Sequence, residues 1–439
     1  MVDQRTDLDL PLEPIHRLTA PLERFMHVEA ASGLVLLAAT ITALVLANSP
    51  LSASFLGFWK TEVGFSIGSI EMHHSLKHWI NDGLMAIFFF VIGLEVKREI
   101  VIGELRDPRR AALPVVAALG GMVVPAAVYL LLQWGEPGAR GWGIPMATDI
   151  AFVVGCMAIM GRRVPLGLRV MLLSLAIADD IGAILVIAIG YTESLNTTAL
   201  LLALLGIVGI FALARLGARS FLVYVIVGSL VWLGFHESGV HATIAGVILG
   251  LMTPTRVYIK PGLLESAYDL FRGEGWDQAT HRAMKVANIR KLARETVSPV
   301  EYLEGALHPW VSFLIMPLFA LANAGVPFQL SDFGDPVAQA VTAGLLIGKP
   351  LGIVLFSFLA VRIGLAALPD GVTWGILTGG GFLAGIGFTM ALFISELALQ
   401  GDVLDAAKVG VLGASAVAAI IGMVLLNWLL PKGEPEGSG

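Results

Sequence analysis

Charge is scarce in this sequence of 439 residues: Asp, Glu, Lys and Arg make up 14% of it, against 56% hydrophobic residues. A soluble globular chain carries about 25% charged residues, so a water-soluble domain is excluded and an integral membrane protein is expected. Cysteine is nearly absent. The one thiol, Cys156, lies inside an apolar run, which rules out an intrachain disulfide and leaves the redox compartment unread. There is no GxxxxGK[ST] phosphate loop to couple ATP to movement, and no redox cofactor signature. Residues 1–24 are polar, carry several acids and lack an apolar core segment, so no cleavable signal peptide is expected. A basic excess is missing too: the net charge is -6, and nucleic acid is not an expected partner.

What the chain has in quantity is long apolar runs. A hydrocarbon core about 30 Å thick is crossed by about 20 apolar residues in a helix, and about twelve such runs lie between 28 and 430. The expected layout is a cytoplasmic segment at 1–27, an all-α transmembrane domain at 28–430 and a cytoplasmic tail at 431–439. Lys and Arg collect in alternate connections, at 97–110, 162–163, 215–219, 256–294 and 362, whereas the other set is mainly acidic. Basic short loops favour the cytoplasm, so both termini are expected there. The periplasmic connection 49–77 contains EVGFSIGSIEM, an alternating pattern with a central Gly that fits a small β-hairpin, an irregular loop being the alternative. The cytoplasmic connection 253–307 mixes charges of both signs and is expected to hold one or two short helices. Spans three to five start from the side opposite to spans ten to twelve. If the two sets are related units, they are inverted repeats.

The chemistry concentrates in SLAIADDIGAILVIAIGY, residues 174–191, where Asp179 and Asp180 are the only charges between Val170 and Tyr191. An acid at a helix centre costs about 2.5–3.5 kcal/mol on insertion scales, an expense that marks either function or an ion pair between helices. Lys349 is the partner candidate, the only charge between Asp335 and Arg362. Protons in such a set belong to the coupled groups together. In MATDIAF, Thr148 and Asp149 open a short apolar stretch after Gly143 and Pro145, and GGGFLAGIGFTMALF is Gly-rich in mid-span. Both spans read as interrupted, with close helix packing as the alternative role for the glycines. Unwound backbone is tolerated at membrane depth only under protein or a watery cavity. Half-helix ends carry about half a unit charge, which Asp149 is placed to neutralise at positive ends and Lys349 at negative ones. Together these residues suggest a midplane pocket where a hard cation and a proton compete for carboxylate oxygens.

These residues sit in WINDGLMAIFFFVIGLEVKRE, ALGGMVVPA, IPMATDIAFVVG, LAIADDIGAILVIA, GVHATIAGVILG, LHPWVSFLIMPLFALANAGV, GLLIGKPLGI and GIGFTMALFI. Through them the sequence resembles the bacterial NhaA family of Na+/H+ antiporters along nearly its whole length. That family is itself a known example of inverted repeats with broken helices. The resemblance implies inverted repeats in helices 3–5 and 10–12, with discontinuous helices 4 and 11 crossing near the midplane. It implies pH-regulated exchange of Na+ or Li+ for H+ across the bacterial inner membrane by alternating access, with no cofactor and no enzymatic activity. Asp180 falls on the principal cation-binding carboxylate, and Asp179 on its proton-exchanging neighbour, paired with Lys349. Thr148 and Asp149 fall near the cation site. Asp82 matches an acid on the periplasmic side and Glu95 one at the cytoplasmic funnel, where Glu304 and His308 match candidate pH sensors. His241 matches a family histidine, for which a structural role is the alternative. A homodimer formed through the hairpin is also implied. The sequence departs from the family at Gly305, where a histidine occurs in its best-known form, and at 256–300, which reads as an insertion.

Three other readings compete. Neighbouring helical residues point about 100° apart, so Asp179 and Asp180 do not face each other as a protease dyad. Gly182, Ala183 and Ile184 follow them, so the further acid one turn later that a diphosphate-binding DDxxD arrangement needs is missing. A cation channel is closer, but a lysine at the same depth opposes a simple cation pore. His73, His74 and His78 raise a metal site, with 74 and 78 on one face if that segment is helical. Without a further ligand they read as a solvated loop edge. Replacing Asp180 by Asn is predicted to abolish Na+-driven proton movement in vesicles while leaving the protein folded, and Asp179→Asn to cripple it; exchange retained by Asp180→Asn would remove that residue from its central role.

Overall fold

The computed structural model describes residues 29–67, 70–192, 195–216, 221–257, 296–328 and 330–431. The N-terminal segment, most of the 253–307 connection and the tail from 432 lie outside them. The chain opens with α1 (Glu29–Ala47), from which α2 (Ser52–Trp59) is bent by 120°. Next come β1 (Glu62–Ile67) and β2 (Ile70–Ser75), paired antiparallel from Glu62 opposite Ser75 to Ile67 opposite Ile70. The connection 49–77 is thus a hairpin preceded by a short helix, and the helix went unread in the sequence.

Helix α3 covers 76–101 with a π-helical stretch at Trp79–Leu84. Then follow α4 (Pro108–Leu132), a 3-10 segment (Pro137–Met146), α5 (Ile150–Met160), α6 (Leu166–Gly190), α7 (Thr197–Arg215), α8 (Phe221–Ser238) and α9 (Thr243–Met252). The remainder is α10 (Pro299–Asn323), α11 (Pro336–Arg362), α12 (Trp374–Ala384), α13 (Phe388–Ala398) and α14 (Gly401–Leu429). Among the described residues six helices are long and apolar enough to cross a membrane, or up to nine spans if each of three bent pairs counts as one. The figure of twelve read from the runs is therefore not reached on length and composition. Helices α8 and α9 are short, and α3 ends among Glu95, Lys97, Arg98 and Glu99. Helix α10 begins at Pro299 and not near 308, because Ser298 and Glu301 form a reciprocal capping box there.

The connections fall into two sets that touch only within themselves in the contacts that follow. Arg163 donates to Pro431 O, and a Cβ on Gly167 would touch Asp370 O, joining three ends of the basic set. In the other set Asn48 donates to Val326 O at 2.9 Å, Asn196 N to Ser238 O at 2.9 Å, and His241 Nε2 bonds Tyr191 O at 2.9 Å. This two-sidedness fits a multi-pass membrane protein. Its outer faces agree: Leu131, Ile189, Leu216 and Trp428 stand 80–83% exposed, a liability in water but the expected surface toward lipid.

At the centre, α4 and α11 meet backbone to backbone at paired glycines. A Cβ on Gly120 would lie 2.3 Å from Gly352 O, and one on Gly352 2.1 Å from Gly120 O. Backbone cannot yield as a side chain can. The same seam puts Gly348 against Pro125, so the neighbouring Lys349 enters the interior with no solvent exposure. Gly120→Val is predicted to lower the melting temperature in detergent by overpacking, a cost of at least about 1–3 kcal/mol. Gly305→Ala, in a helix where a Cβ meets nothing within 4 Å, should be neutral or stabilising by up to about 1 kcal/mol; equal melting of the two variants would contradict the close crossing.

Candidate functional site

Two interrupted spans form the site. The 3-10 segment ends at Met146 and α5 begins at Ile150, with a bend of 42°, and α12 and α13 meet at 48° around Gly385–Gly387. Pro145 removes one backbone donor at the first break. At the second, a Cβ on Gly385 would lie 2.7 Å from Leu345 O, so glycine here serves close packing as well as interruption. The freed backbone groups are satisfied across the crossing. Asp149 N donates to Ile386 O at 2.7 Å and Thr148 Oγ1 to Ala384 O at 2.9 Å. The Asp149 carboxylate accepts from Phe152 N at 3.4 Å, from Thr389 N at 3.0 Å and from the Thr389 hydroxyl. One buried acid thereby caps the positive ends of both α5 and α13.

Beside the crossing, α6 places Asp179 and Asp180 at 1% and 5% exposure. Lys349 Nζ donates to Asp179 Oδ2 at 2.6 Å and also to Met146 O, the carbonyl closing the 3-10 segment. Its charge therefore meets both a carboxylate and the negative end of a half-helix. Asp179 Oδ1 is buried and accepts no hydrogen bond. The Thr148 hydroxyl lies beside Asp179, but its single proton is used on Ala384 O. Asp180 points elsewhere, as adjacent residues on a helix must. No donor among the described residues bonds to it, and its electrostatic neighbours are Asp179, Glu95, Asp149 and Lys349. Asp179 Oδ1 and the Asp180 carboxylate thus keep oxygen acceptor capacity to spare. Such a set suits a hard cation or a proton.

A model of the family described as Na+/H+ antiporter 1 matches residues 23–426. The chain belongs to the Na+/H+ antiporter 1 family. It is 58% identical to the Na(+)/H(+) antiporter NhaA of Rhodopirellula baltica, covering 97% of this chain and 98% of that one. It is 54% identical to the Na(+)/H(+) antiporter NhaA of Rhizobium meliloti, over 96% of this chain and 97% of that one. Against the Na(+)/H(+) antiporter NhaA 2 of Acidiphilium cryptum the identity is 52%, over 97% and 96% of the two chains.

The other residues singled out in this antiporter-family sequence fall into separate places. Glu95, Glu304 and His308 gather around Arg98, which bonds Glu304 directly and Glu99 at 3.4 Å. His308 Nδ1 also faces Ser312 Oγ at 3.5 Å. Asp82 is remote from that cluster, against His236 at 3.3 Å and His78 at 3.5 Å on the hairpin side. His241 bonds the Tyr191 backbone carbonyl, apart from both groups. Sequence reasoning missed Thr389, which fixes Asp149, and the partly buried Glu396 shared by Lys77 at 2.6 Å and by Lys408. A signal for the second existed, since Glu396 is a lone charge at the edge of an apolar run and Lys408 lies just inside the next one. Lys349→Arg is predicted to keep partial activity, whereas Lys349→Ala strands a buried carboxylate, which costs about 3–5 kcal/mol when one partner of a buried pair is removed. Thermal melting of both variants in detergent checks the split; equal melting would contradict it.

Proposed function

We propose that this protein exchanges Na+ or Li+ for H+ across the bacterial inner membrane by alternating access, in the service of Na+ extrusion and pH homeostasis. The observation that carries the reading is Asp180: a carboxylate buried at 5% exposure, without a donor among the described residues, beside a second acid already engaged by Lys349. A group so placed is neutral when protonated and needs a counter-cation when it is not. Proton and Na+ are therefore alternatives at one site, with Asp180 as the central ligand, Asp179 and Thr148 completing the oxygen set and Asp149 holding the crossing that shapes it. When Na+ leaves, Asp180 takes up a proton, and the Asp179–Lys349 pair shares in the exchange as a coupled unit. The names of the relatives, all Na(+)/H(+) antiporters, support the same exchange.

The finer architecture belongs to this proposal. The two-sided loop contacts support twelve passes, with α3, α8 and α9 making up the count, and both termini on the basic, cytoplasmic side. Long helix, broken pair, long helix occurs twice, in α4 to α6 and in α11 to α14, which suits inverted repeats. The Arg98, Glu304, Glu95 and His308 cluster is the proposed pH-responsive element, and a homodimer through the hairpin completes the assembly. Neither a cofactor nor an enzymatic step is part of it.

The test is proton flux in proteoliposomes of the full chain, followed by dequenching across a pH series with Na+, Li+ and K+ added in turn. Na+ addition should drive protons in the opposite direction. Na+ entry without proton counterflow would make the protein a channel and overturn the proposal.

A further inference from the structure

His74, His78 and His236 come from three separate elements. The first lies on β2, the second at the start of α3 and the third near the end of α8. Sequence reasoning set aside the first two for want of a further ligand and supposed a shared helical face. The structure instead puts His74 on a strand and brings in His236 from far along the chain. One ring nitrogen from each lies within 4.8 Å of the others. The His74 and His78 rings stack at 4.2 Å, and His236 meets them at 5.3 Å and 5.6 Å. Asp82 supplies an oxygen to the same cluster, 3.3 Å from His236 Nδ1 and 3.5 Å from His78 Nε2. His78 Nε2 is shielded from solvent and makes no hydrogen bond, so a polar atom faces the cluster unsatisfied.

We propose that these three imidazoles and Asp82 form a binding site for a transition-metal dication of the Zn2+ type, on the hairpin side and apart from the exchange site. Three nitrogens and a carboxylate oxygen are the donors Zn2+ takes in a tetrahedral shell. With the ring nitrogens at most 4.8 Å apart, an ion central to them lies no more than about 2.8 Å from each. That is within roughly 0.7 Å of a Zn–N bond of about 2.1 Å, and all three rings are only half-buried, so small rotations close the gap. Asp82 acts as the fourth ligand or, through His236, as the carboxylate that orients a ligating ring. Mg2+ and Na+ prefer oxygen sets and are not expected to compete. The bound ion would add to the links between the hairpin and the ends of α3 and α8, which Trp79 Nε1 to Val63 O and Trp232 Nε1 to Asp82 O already join. Because its residues lie outside the Asp179, Asp180 and Lys349 group, the site does not depend on the proposed exchange.

The experiment uses the full-length protein in detergent, stripped with a chelator and titrated with Zn2+ against a chromophoric competitor, with thermal melting as a second readout. One Zn2+ per chain and a rise in melting temperature on Zn2+ but not on Mg2+ are expected. His236→Ala and His74→Ala should each weaken binding by about 10-fold or more and lose the thermal rise, while melting without metal stays close to the parent. His73→Ala, one residue along the strand and so directed to the opposite face, should bind as the parent does. Absence of stoichiometric Zn2+ binding, or parental affinity in both His236→Ala and His74→Ala, would overturn the site.

Discussion

A lysine with no solvent contact organises this molecule. Lys349 reaches the interior because glycines at 120, 348 and 352 let α4 and α11 meet backbone to backbone. Its charge has to be met there, since an unpaired ion in such a setting is far too costly. It is met twice, by Asp179 and by the carbonyl end of the 3-10 segment at Met146. The position of the lysine thus ties α11 to α6 and to the first interrupted span in one step.

The crossing of the two broken spans follows the same rule with the opposite sign. Two half-helices begin near one another, their free N–H groups need an acceptor, and Asp149 serves both through Phe152 and Thr389. Thr148 and the Asp149 N–H close the carbonyl side on Ala384 and Ile386. Nearly every polar group at this depth is therefore satisfied within the protein, as membrane burial demands. Among the described residues beside the crossing, Asp179 Oδ1 and the Asp180 carboxylate are left without a donor. Acceptors left open in an otherwise satisfied interior are where a mobile cation or proton has something to gain.

Much of this was legible in the sequence because lone charges stand out in apolar runs. Asp179, Asp180 and Lys349 could be paired on that ground alone, and the alternation around Gly68 was enough to suggest the hairpin. The capping role of Asp149 was readable from Thr-Asp opening a short run, but its partner Thr389 was not, because a threonine among glycines and aliphatics looks like any other. Span counting was weaker. The runs suggested twelve spans, but α3, α8 and α9 do not meet a test of length and apolarity, and a capping box can move a helix start well upstream of its apolar part. Histidine 236 shows the limit most plainly: its ring meets His74 and His78 only after α8 has folded back to the hairpin, a juxtaposition that no local spacing encodes.

The central claim is that one buried carboxylate set holds either a cation or hydrogen ions. It is tested most directly by calorimetry of Na+ binding to the purified protein, repeated across pH in buffers of different ionisation enthalpy. Na+ uptake should expel protons into the buffer, and affinity should fall as the solution becomes more acidic. Na+ bound with unchanged affinity at every pH, and with no proton released, would contradict the account.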